Sequence, residues 1–422
     1  MKILIMGAGK IGSVVAWDLA KRTDVEKIGL VDSHLDALAR AKTWVNSEKL
    51  ATHSIDIVGQ KSEGSQLMQG YDVGVITLPT RRASYSAIEA AIDARLSTVD
   101  ILEEYHRRPD KVEIEGLEIS GNMSLDEYGE WLHEKAISNQ VTIIDGMGFE
   151  PGLSNVTTGA AIRKLDKAKS AIVRVGGIPS KETANRHPLK YVITWAFGHV
   201  LREYMVKVSV LRNGSVIEVD ASSERESFQF SELGRSEELE AAITPGMPSF
   251  VYTRKDLESF VAKTIRWPGH WQGIETLKEC GLLDITPVAI KGNLTETISA
   301  TLSIPPRDFV ATVLEPKLRQ LDGDIDSCIM WNTVIGSLDG RDVRIDYYMW
   351  DEADTKNHIS SMARVTGFTA ASTATMLGHR KIKETGIVAP EDAIHGEVYE
   401  GLLQELRDRN IEILETKPEF VQ

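Results

Sequence analysis

Cysteine is scarce in this chain, and its scarcity excludes several classes of protein. The 422 residues include only Cys280 and Cys328, which are too few for a disulfide framework. Neither cysteine has the spacing of a structural metal site, and the 10 histidines are scattered, so we expect no bound metal. Because free thiols persist in a reducing compartment, the cysteine count predicts a cytoplasmic protein.

Long apolar runs and basic clusters are also missing. The apolar stretch at the start of the chain lasts about six residues, whereas a transmembrane helix needs roughly 20. Lysine and arginine number 48 against 62 aspartates and glutamates, and the formal net charge of −14 opposes binding to nucleic acid or to an anionic membrane. The hydrophobic content of 42% is typical of a globular chain, and the length predicts two or three domains.

A glycine-rich turn follows the first apolar run. Gly7, Gly9 and Gly12 form the pattern G-x-G-x-x-G, and Asp32 ends the next apolar run 20 residues later. In a dinucleotide site the first glycine permits a tight turn, the second lets the backbone approach the pyrophosphate, and the third lets the helix pack near the strand. An acidic residue at the position of Asp32 binds ribose hydroxyls and repels a 2′-phosphate. The pattern therefore predicts NAD, with NADP less favoured.

Apolar runs and helical patterns alternate over the first part of the chain. The predicted strands are 27–32, 54–58, 73–78, 97–101 and 141–145, and the predicted helices are 13–22, 35–45, 83–95 and 125–139. This alternation is typical of an α/β fold with a doubly wound parallel sheet, so we expect a Rossmann domain over residues 1–150.

The pattern changes in the second part of the chain. Asn213-Gly214 and Asp339-Gly340 each separate two runs of alternating residues, which predicts two antiparallel hairpins. Residues 151–355 are therefore expected to form an inserted α+β domain. A helix rich in small residues over 360–377, further helical sequence from Pro390 and a short strand at 411–414 follow. We expect residues 356–422 to return to the Rossmann domain.

Ligands of open parallel sheets bind beyond the carboxyl ends of the strands, so residues at those ends are candidate contacts. Asp145 is one further position of this kind, and Asp56 is equally well explained as a helix cap. The predicted cofactor contacts are Gly7, Ala8, Gly9, Lys10, Ile11, Gly12, Asp32, Asp56, Thr77, Leu78, Pro79 and Asp100.

Four later segments resemble a known family. They are Gly148-Phe-Glu-Pro-Gly-Leu-Ser-Asn155, Val175-Gly-Gly-Ile-Pro179, Arg266-Trp-Pro-Gly-His270 and Arg364-Val-Thr-Gly-Phe-Thr-Ala370. In this order they resemble the saccharopine dehydrogenase-like family, and within it the L-lysine 6-dehydrogenases most closely. The resemblance covers about residues 1–395. It implies a Rossmann domain, an inserted substrate and dimerisation domain, a homodimer, a nicotinamide cofactor, and redox chemistry at a carbon–nitrogen bond.

The resemblance implies NAD-dependent oxidation of the ε-amino group of L-lysine to 2-aminoadipate 6-semialdehyde, which cyclises. An ammonium must lose a proton before hydride leaves the neighbouring carbon, so a carboxylate or histidine is required, and Glu150 and His270 are the predicted catalytic residues. Structural roles remain open for both, since Glu150 also suits a helix N-terminus and a lone histidine is often structural. The predicted substrate contacts are Arg266, Arg364, Thr366, Arg81 and Tyr191.

Two departures from the family pattern leave the substrate open. Gly198 stands where the family usually has an arginine that could hold a carboxylate, and Glu150 is nearer to the Asp-Pro-Gly of saccharopine and carboxynorspermidine relatives. A saccharopine-type or carboxynorspermidine-type imine reductase is therefore an alternative. A non-catalytic protein that binds NAD and senses its redox state is a second alternative, from another class.

Overall fold

The computed structural model describes residues 1–109, 119, 123–293 and 299–421. The strands are β1 Lys2–Met6, β2 Lys27–Asp32, β3 Leu50–Ser54, β4 Val73–Ile76, β5 Thr98–Asp100, β6 Thr142–Ile144, β7 Lys167–Pro179, β8 Lys207–Arg212, β9 Ser215–Asp220, β10 Glu226–Phe230, β11 Glu237–Ile243, β12 Ser259–Arg266, β13 Val288–Asn293, β14 Ser299–Ile304, β15 Asp326–Leu338, β16 Arg341–Glu352, β17 Gly386–Val388, β18 Leu414–Glu415 and β19 Glu419–Phe420.

Helices surround both sheets. They are α1 Lys10–Ala20, α2 Leu35–Val45, α3 Lys61–Met68, α4 Arg81–Ala94, α5 Leu125–Ser138, α6 Leu153–Arg163, α7 Lys181–Ala184, α8 Phe197–Glu203, α9 Phe250–Thr253, α10 His270–Glu279, α11 Pro306–Leu318, α12 Ser361–Gly378, α13 Pro390–Ala393 and α14 Gly396–Arg407, with a 3-10 turn at Pro188–Lys190. In the described part of the chain, none of these helices has the length and apolar character needed to cross a membrane.

The first sheet is parallel and has seven strands in the order β17-β6-β5-β4-β1-β2-β3. Strand β1 lies near its centre, and its residues Ile3 to Met6 are fully buried because helices cover both faces. From β1 the strand order runs outward in both directions, with β2 and β3 on one side and β4, β5 and β6 on the other, as in a doubly wound fold. This confirms the predicted Rossmann architecture.

Strand β3 ends earlier than the sequence pattern suggested. The prediction of a strand over 54–58 was wrong, because β3 ends at Ser54 and the chain then turns. Asp56 makes this turn: its Oδ1 accepts a hydrogen bond from the Val58 amide at 3.0 Å. The side chain of Asp56 is therefore engaged with its own backbone, and α3, which the apolar spacing did not reveal, follows.

The second sheet has ten strands and is mixed. Its main path is β10-β11-β12-β7-β15-β16-β18, and hairpins β8–β9 and β15–β16 form where the sequence predicted them. Asn213 and Gly214 have φ angles of 50° and 72°, and Asp339 and Gly340 have 50° and 73°. These values suit the two-residue turns whose twist matches antiparallel strands.

The C-terminal segment contacts both sheets. Helix α12 packs against α1, and β17 pairs with β6 at the edge of the first sheet. Small residues allow this close packing, since a Cβ at Gly367 would lie 3.0 Å from Val14 Cγ1. The strand predicted at 411–414 is displaced, because β18 pairs with β16 at Leu414 and Glu415.

Candidate active site

The glycine-rich loop is shaped by its own backbone. Gly7 has a φ of +111°, which side chains rarely adopt, and a Cβ at Gly12 would lie 1.9 Å from the Gly7 carbonyl oxygen. A Cβ at Gly9 would meet no atom within 4 Å, so this position faces open space. The amide of Ala8 donates to Asp32 Oδ2 at 2.8 Å, which ties the acidic residue to the loop. These features fit a dinucleotide at the N-terminus of α1.

A cavity of about 530 Å³ lies between the first sheet and the second domain. Its wall on the Rossmann side is made by six of the predicted cofactor contacts, which are Gly9, Lys10, Ile11, Thr77, Leu78 and Pro79. Thr77 Oγ1 donates to the carbonyls of Met6 and Gly7, each at 3.0 Å, so the second turn is fastened to the first. The two turns therefore form one surface.

The predicted cofactor contacts outside the described lining of this cavity are Gly7, Ala8, Gly12, Asp32, Asp56 and Asp100. The first four belong to the glycine-rich loop or are tied to it. Asp56 is held in its own turn, and Asp100 is fully buried, where it accepts hydrogen bonds from Ser84 Oγ and from the Leu102 amide. Local hydrogen bonds therefore occupy both of these carboxylates.

Three glutamates line the same cavity. Glu103 lies in the loop after β5, Glu150 in the turn before α6, and Glu203 at the end of α8. The carboxyls of Glu103 and Glu203 are hydrogen-bonded to each other. Burial raises the pKa of all three carboxyls, and the charge of Glu103 raises the pKa of Glu150 and Glu203 further, both well above the usual value. This group can therefore exchange protons with a bound amine.

Glu150 is held by a glycine-lined turn. A Cβ at Gly246 would lie 2.8 Å from Glu150 Cδ, so the carboxyl packs directly on this backbone. Gly152 has a φ of +126°, and a Cβ there would lie 2.3 Å from the Gly148 amide nitrogen. The Oε1 atom of Glu150 is buried and has no hydrogen-bond partner among the described residues. This oxygen is available to a donor on a ligand.

Arg266 ends β12 and reaches the cavity as a buried side chain. Its Nη1 donates to the Ile265 carbonyl at 3.0 Å, and its Nη2 donates weakly to the Tyr204 hydroxyl at 3.4 Å. The Nε atom is buried without a hydrogen-bond partner within the described part of the chain. Tyr191 lies behind the guanidinium, with its ring centre 5.2 Å from Cζ, and is absent from the described cavity lining.

His270 does not reach the cavity, which overturns its predicted placement. The turn before α10 aims the ring into the interior, where Nδ1 lies 2.9 Å from the Leu189 carbonyl and Nε2 lies 3.0 Å from the Tyr204 hydroxyl. Burial, with a further contribution from Arg266, lowers the pKa of His270 to about 3. With both nitrogens engaged, His270 supports Tyr204, which in turn contacts Arg266.

The remaining predicted substrate contacts divide into two groups. Thr366 and Arg81 line the cavity, and Arg81 also pairs with Glu104. Arg364 points away, because its guanidinium donates to Asp351 at 3.1 Å and to the Arg409 carbonyl at 3.1 Å. Its place at the start of α12 therefore serves the contact between α12 and the second sheet.

A buried network lies under the loop that carries Glu103. His106 Nδ1 is 2.5 Å from Asp145 Oδ1, and its Nε2 is 3.0 Å from Ser84 Oγ, which also contacts Asp100. Candidate metal-ligand atoms of Asp100, His106 and Asp145 lie within 4.8 Å of one another. Hydrogen bonds within the network account for this proximity, so we assign it to positioning of the loop.

Glu103, Glu203, Arg202 and His199 also line the cavity and were missed by sequence reasoning. A signal existed for Glu103, which follows the end of β5 by three residues on the edge where ligands bind. Glu203 gave no such signal, because α8 belongs to a different domain and lies about 100 residues further along the chain.

The fold and the cavity define an NAD(P)-binding oxidoreductase. A model described as the saccharopine dehydrogenase NADP binding domain matches residues 3–144, and one described as the saccharopine dehydrogenase C-terminal domain matches residues 148–411. The chain therefore belongs to the saccharopine dehydrogenase family, which confirms the resemblance found in its motifs.

Relatives and solved structures agree with this assignment. Alpha-aminoadipic semialdehyde synthase from Arabidopsis thaliana is 27% identical over 169 residues, covering 38% of this chain and 16% of that protein. The mitochondrial enzyme of that name from Rattus norvegicus is 24% identical over 225 residues, covering 52% of this chain. The match spans only 21% of the rat protein's length. Apo saccharopine dehydrogenase (L-Glu forming) from Saccharomyces cerevisiae shares the fold, with a TM-score of 0.75, 18% identity and 99% coverage of both chains.

Proposed function

We propose that this protein catalyses NAD-dependent oxidation of a carbon–nitrogen bond in an amino acid, with the ε-amino group of L-lysine as substrate. The product would be 2-aminoadipate 6-semialdehyde, released with ammonia after hydrolysis of the imine. One observation carries the proposal: the cavity that contains the cofactor loop also holds a carboxyl oxygen of Glu150 and a guanidinium nitrogen of Arg266 that lack partners among the described residues.

The two side chains suit the two ends of lysine. A guanidinium binds a carboxylate through two parallel hydrogen bonds, so Arg266 is assigned to the substrate carboxylate. Glu150 is assigned to the ε-ammonium, whose N–H groups would satisfy the unpartnered oxygen. Nicotinamide, when bound, accepts a hydride from carbon. The turns at Gly9–Ile11 and Thr77–Pro79, with Asp32, would hold the cofactor.

NAD is the proposed cofactor because of Asp32. Its Oδ2 accepts from the Ala8 amide, so the carboxylate stays beside the glycine-rich loop, where it would repel a 2′-phosphate. Measuring both dissociation constants by fluorescence should show tighter binding of NADH than NADPH. Asp32→Ser should reduce or reverse this preference, and equal affinities in the unmodified protein would refute the assignment.

The activity test is direct. The purified protein is mixed with lysine and NAD at alkaline pH, and reduced cofactor is followed by absorbance. Glu150→Gln should lower kcat/KM for lysine about 10-fold to 100-fold, whereas Glu397→Gln on the exposed face of α14 should leave it unchanged. No cofactor reduction with lysine by the unmodified protein, under conditions where cofactor binds, would contradict the proposal.

A saccharopine-type reductase is the second candidate, favoured by three arginines in the cavity. Arg81, Arg202 and Arg266 all line it, so a substrate with a second carboxylate would meet more than one guanidinium group there. Such an enzyme would stay inactive with lysine and NAD but would oxidise reduced cofactor when an aldehyde and an amino acid are both present. Tight cofactor binding without turnover in either assay would favour the non-catalytic sensor.

We also propose a homodimer in the cytoplasm. Large apolar side chains are exposed along the part of the second domain around β13 and α11, with Ile285 57%, Phe309 54% and Leu321 59% exposed. Large exposed apolar side chains suit contact with a second copy. Light scattering should give twice the mass of one chain, and Phe309→Glu should lower the measured mass. Both cysteines are free, in agreement with a reducing compartment.

A further inference from the structure

Glu103 and Glu203 form a contact between the two domains. Glu103 is carried by the loop after β5 of the first sheet, and Glu203 by α8 of the second domain. The carboxyls of Glu103 and Glu203 are hydrogen-bonded to each other, and both side chains line the cavity beside Glu150. Two carboxyls in such contact hold one shared proton, because two negative charges at this distance repel each other.

We propose that the Glu103–Glu203 pair is the acid–base centre of the reaction, and that Glu150 only holds the amine. The inference rests on the proposed function, since it assigns the proton steps at the same cavity. Neither residue belongs to the motifs that identify the family, and nothing in the sequence pairs them.

The proton balance is simple. The substrate ammonium gives up one N–H proton, whose O–H bond forms on the ionised Glu103, while the electron pair stays on nitrogen. The pair then holds two protons instead of one. The hydride leaves carbon for the nicotinamide cofactor, as in the proposed function, and the extra proton passes to solvent before the next turnover.

Charged neighbours keep the pair at a single negative charge. Arg81, Arg202 and His199 face Glu103 and favour its ionised form. Around Glu203, Arg266 opposes the protonated form, while Glu103 and Glu150 favour it. The hydroxyls of Tyr191 and Tyr204 also lie close to Glu203. Burial of Glu203, which is 6% exposed, adds to the preference for its protonated form.

Glu103→Gln removes the carboxylate that accepts the substrate proton. We expect kcat to fall about 10²-fold to 10⁴-fold and its dependence on pH to lose one ionisation. Glu203→Gln separates the shared proton from the hydrogen bond: its amide can still donate to ionised Glu103, so the domain contact and most of kcat should remain. Cofactor affinity should be unchanged in both variants, and Glu397→Gln is the matched exposed control.

Infrared spectroscopy tests the pair without turnover. At neutral pH the protein should show the C=O band of protonated carboxyl groups, shifting in D₂O, and Glu203→Gln should weaken it. Absence of lysine oxidation by a protein whose band weakens in Glu203→Gln would reject the proposed function and keep the shared proton. Unchanged kcat and pH profile in folded Glu103→Gln, or an infrared band that Glu203→Gln leaves unchanged, would overturn the acid–base assignment.

Discussion

The cavity has two walls of different construction. The cofactor wall is built from backbone in two short turns, where Gly7 and Gly12 allow the chain to fold back on itself. The opposite wall carries long charged side chains, including Glu103, Glu203 and Arg266, that come from separate elements of both domains and lie among apolar residues such as Ile193 and Trp195. Backbone amides suit a ligand shared by many enzymes, whereas side chains can change with the substrate.

This difference implies that the two walls can be altered separately. Substitutions in the glycine-rich loop should affect cofactor binding and folding, while those on the charged wall should affect the substrate alone.

Gly12→Ala should have the largest effect. Its Cβ would lie 1.9 Å from the Gly7 carbonyl oxygen, which cannot move away easily. We expect a loss of about 1–3 kcal/mol of stability and no measurable cofactor binding. Gly9→Ala is the matched control, since its Cβ meets no atom within 4 Å: the melting temperature should stay unchanged while cofactor affinity falls. Equal stability losses in the two variants would contradict this account.

Gly246→Ala should misplace Glu150 without removing it. The new Cβ would lie 2.8 Å from both Glu150 Cδ and Oε1, so the flexible carboxyl must shift. We expect kcat/KM for lysine to fall about 10-fold to 100-fold, because a displacement near 1 Å disturbs the reacting geometry. Steady-state kinetics measure this, and a change in cofactor affinity of the same size would argue against separate walls.

His106→Gln should change how stability depends on pH. Burial opposes the charged ring, but the Asp145 carboxylate outweighs it and raises the pKa of His106 to about 9 from 6.5. A raised pKa stabilises the fold below pH 6.5, and this contribution is lost as the pH rises through about 9.

Thermal melts should therefore show a loss on the order of 3 kcal/mol between about pH 7 and about pH 10. The loss should be smaller in His106→Gln. Burial raises the pKa of Asp100 to about 6, so the ionisation of Asp100 is complete below the pH range of these melts. If stability depended on pH identically in the variant and the unmodified protein, His106 would not be the group responsible for the loss.

His199→Ala should have the smallest effect. This partly exposed ring on α8 donates from Nε2 to the Pro79 carbonyl at 3.2 Å, joining the charged wall to the nicotinamide turn. Loss of one such hydrogen bond costs about 1 kcal/mol, so the KM for lysine should rise by roughly fivefold at most. A large loss of stability would show that this contact matters more to folding than to substrate binding.

The two walls also differ in how well the sequence predicts them. The glycine-rich loop and the Thr77 turn are contiguous in sequence, and the spacing of their residues reflects requirements of the backbone itself. The charged wall forms only where the two domains meet. Glu203 therefore could not be identified as a cavity residue from the sequence alone. Glu150 and Arg266 were found only because family motifs surround them.

Local hydrogen bonds explain the residues that were misplaced. His270 follows a rigid turn that can aim a side chain, but the turn aims it at Tyr204 in the interior. Asp56 lies in a turn where its own backbone offers a donor nearer than any ligand. In both cases the residue type and position were suitable, and the partner could be identified only from the folded chain.

The NAD affinity and the lysine turnover of Glu150→Gln, measured on the same preparation, test whether the two walls act independently. The account predicts that the dissociation constant for NAD stays within about twofold, as expected of independent sites. It also predicts that kcat/KM for lysine falls about 10-fold to 100-fold, because one of the carboxyl oxygens that would accept a hydrogen bond from the substrate ammonium is lost. Unchanged lysine turnover, or NAD affinity that falls in parallel with turnover, would contradict it.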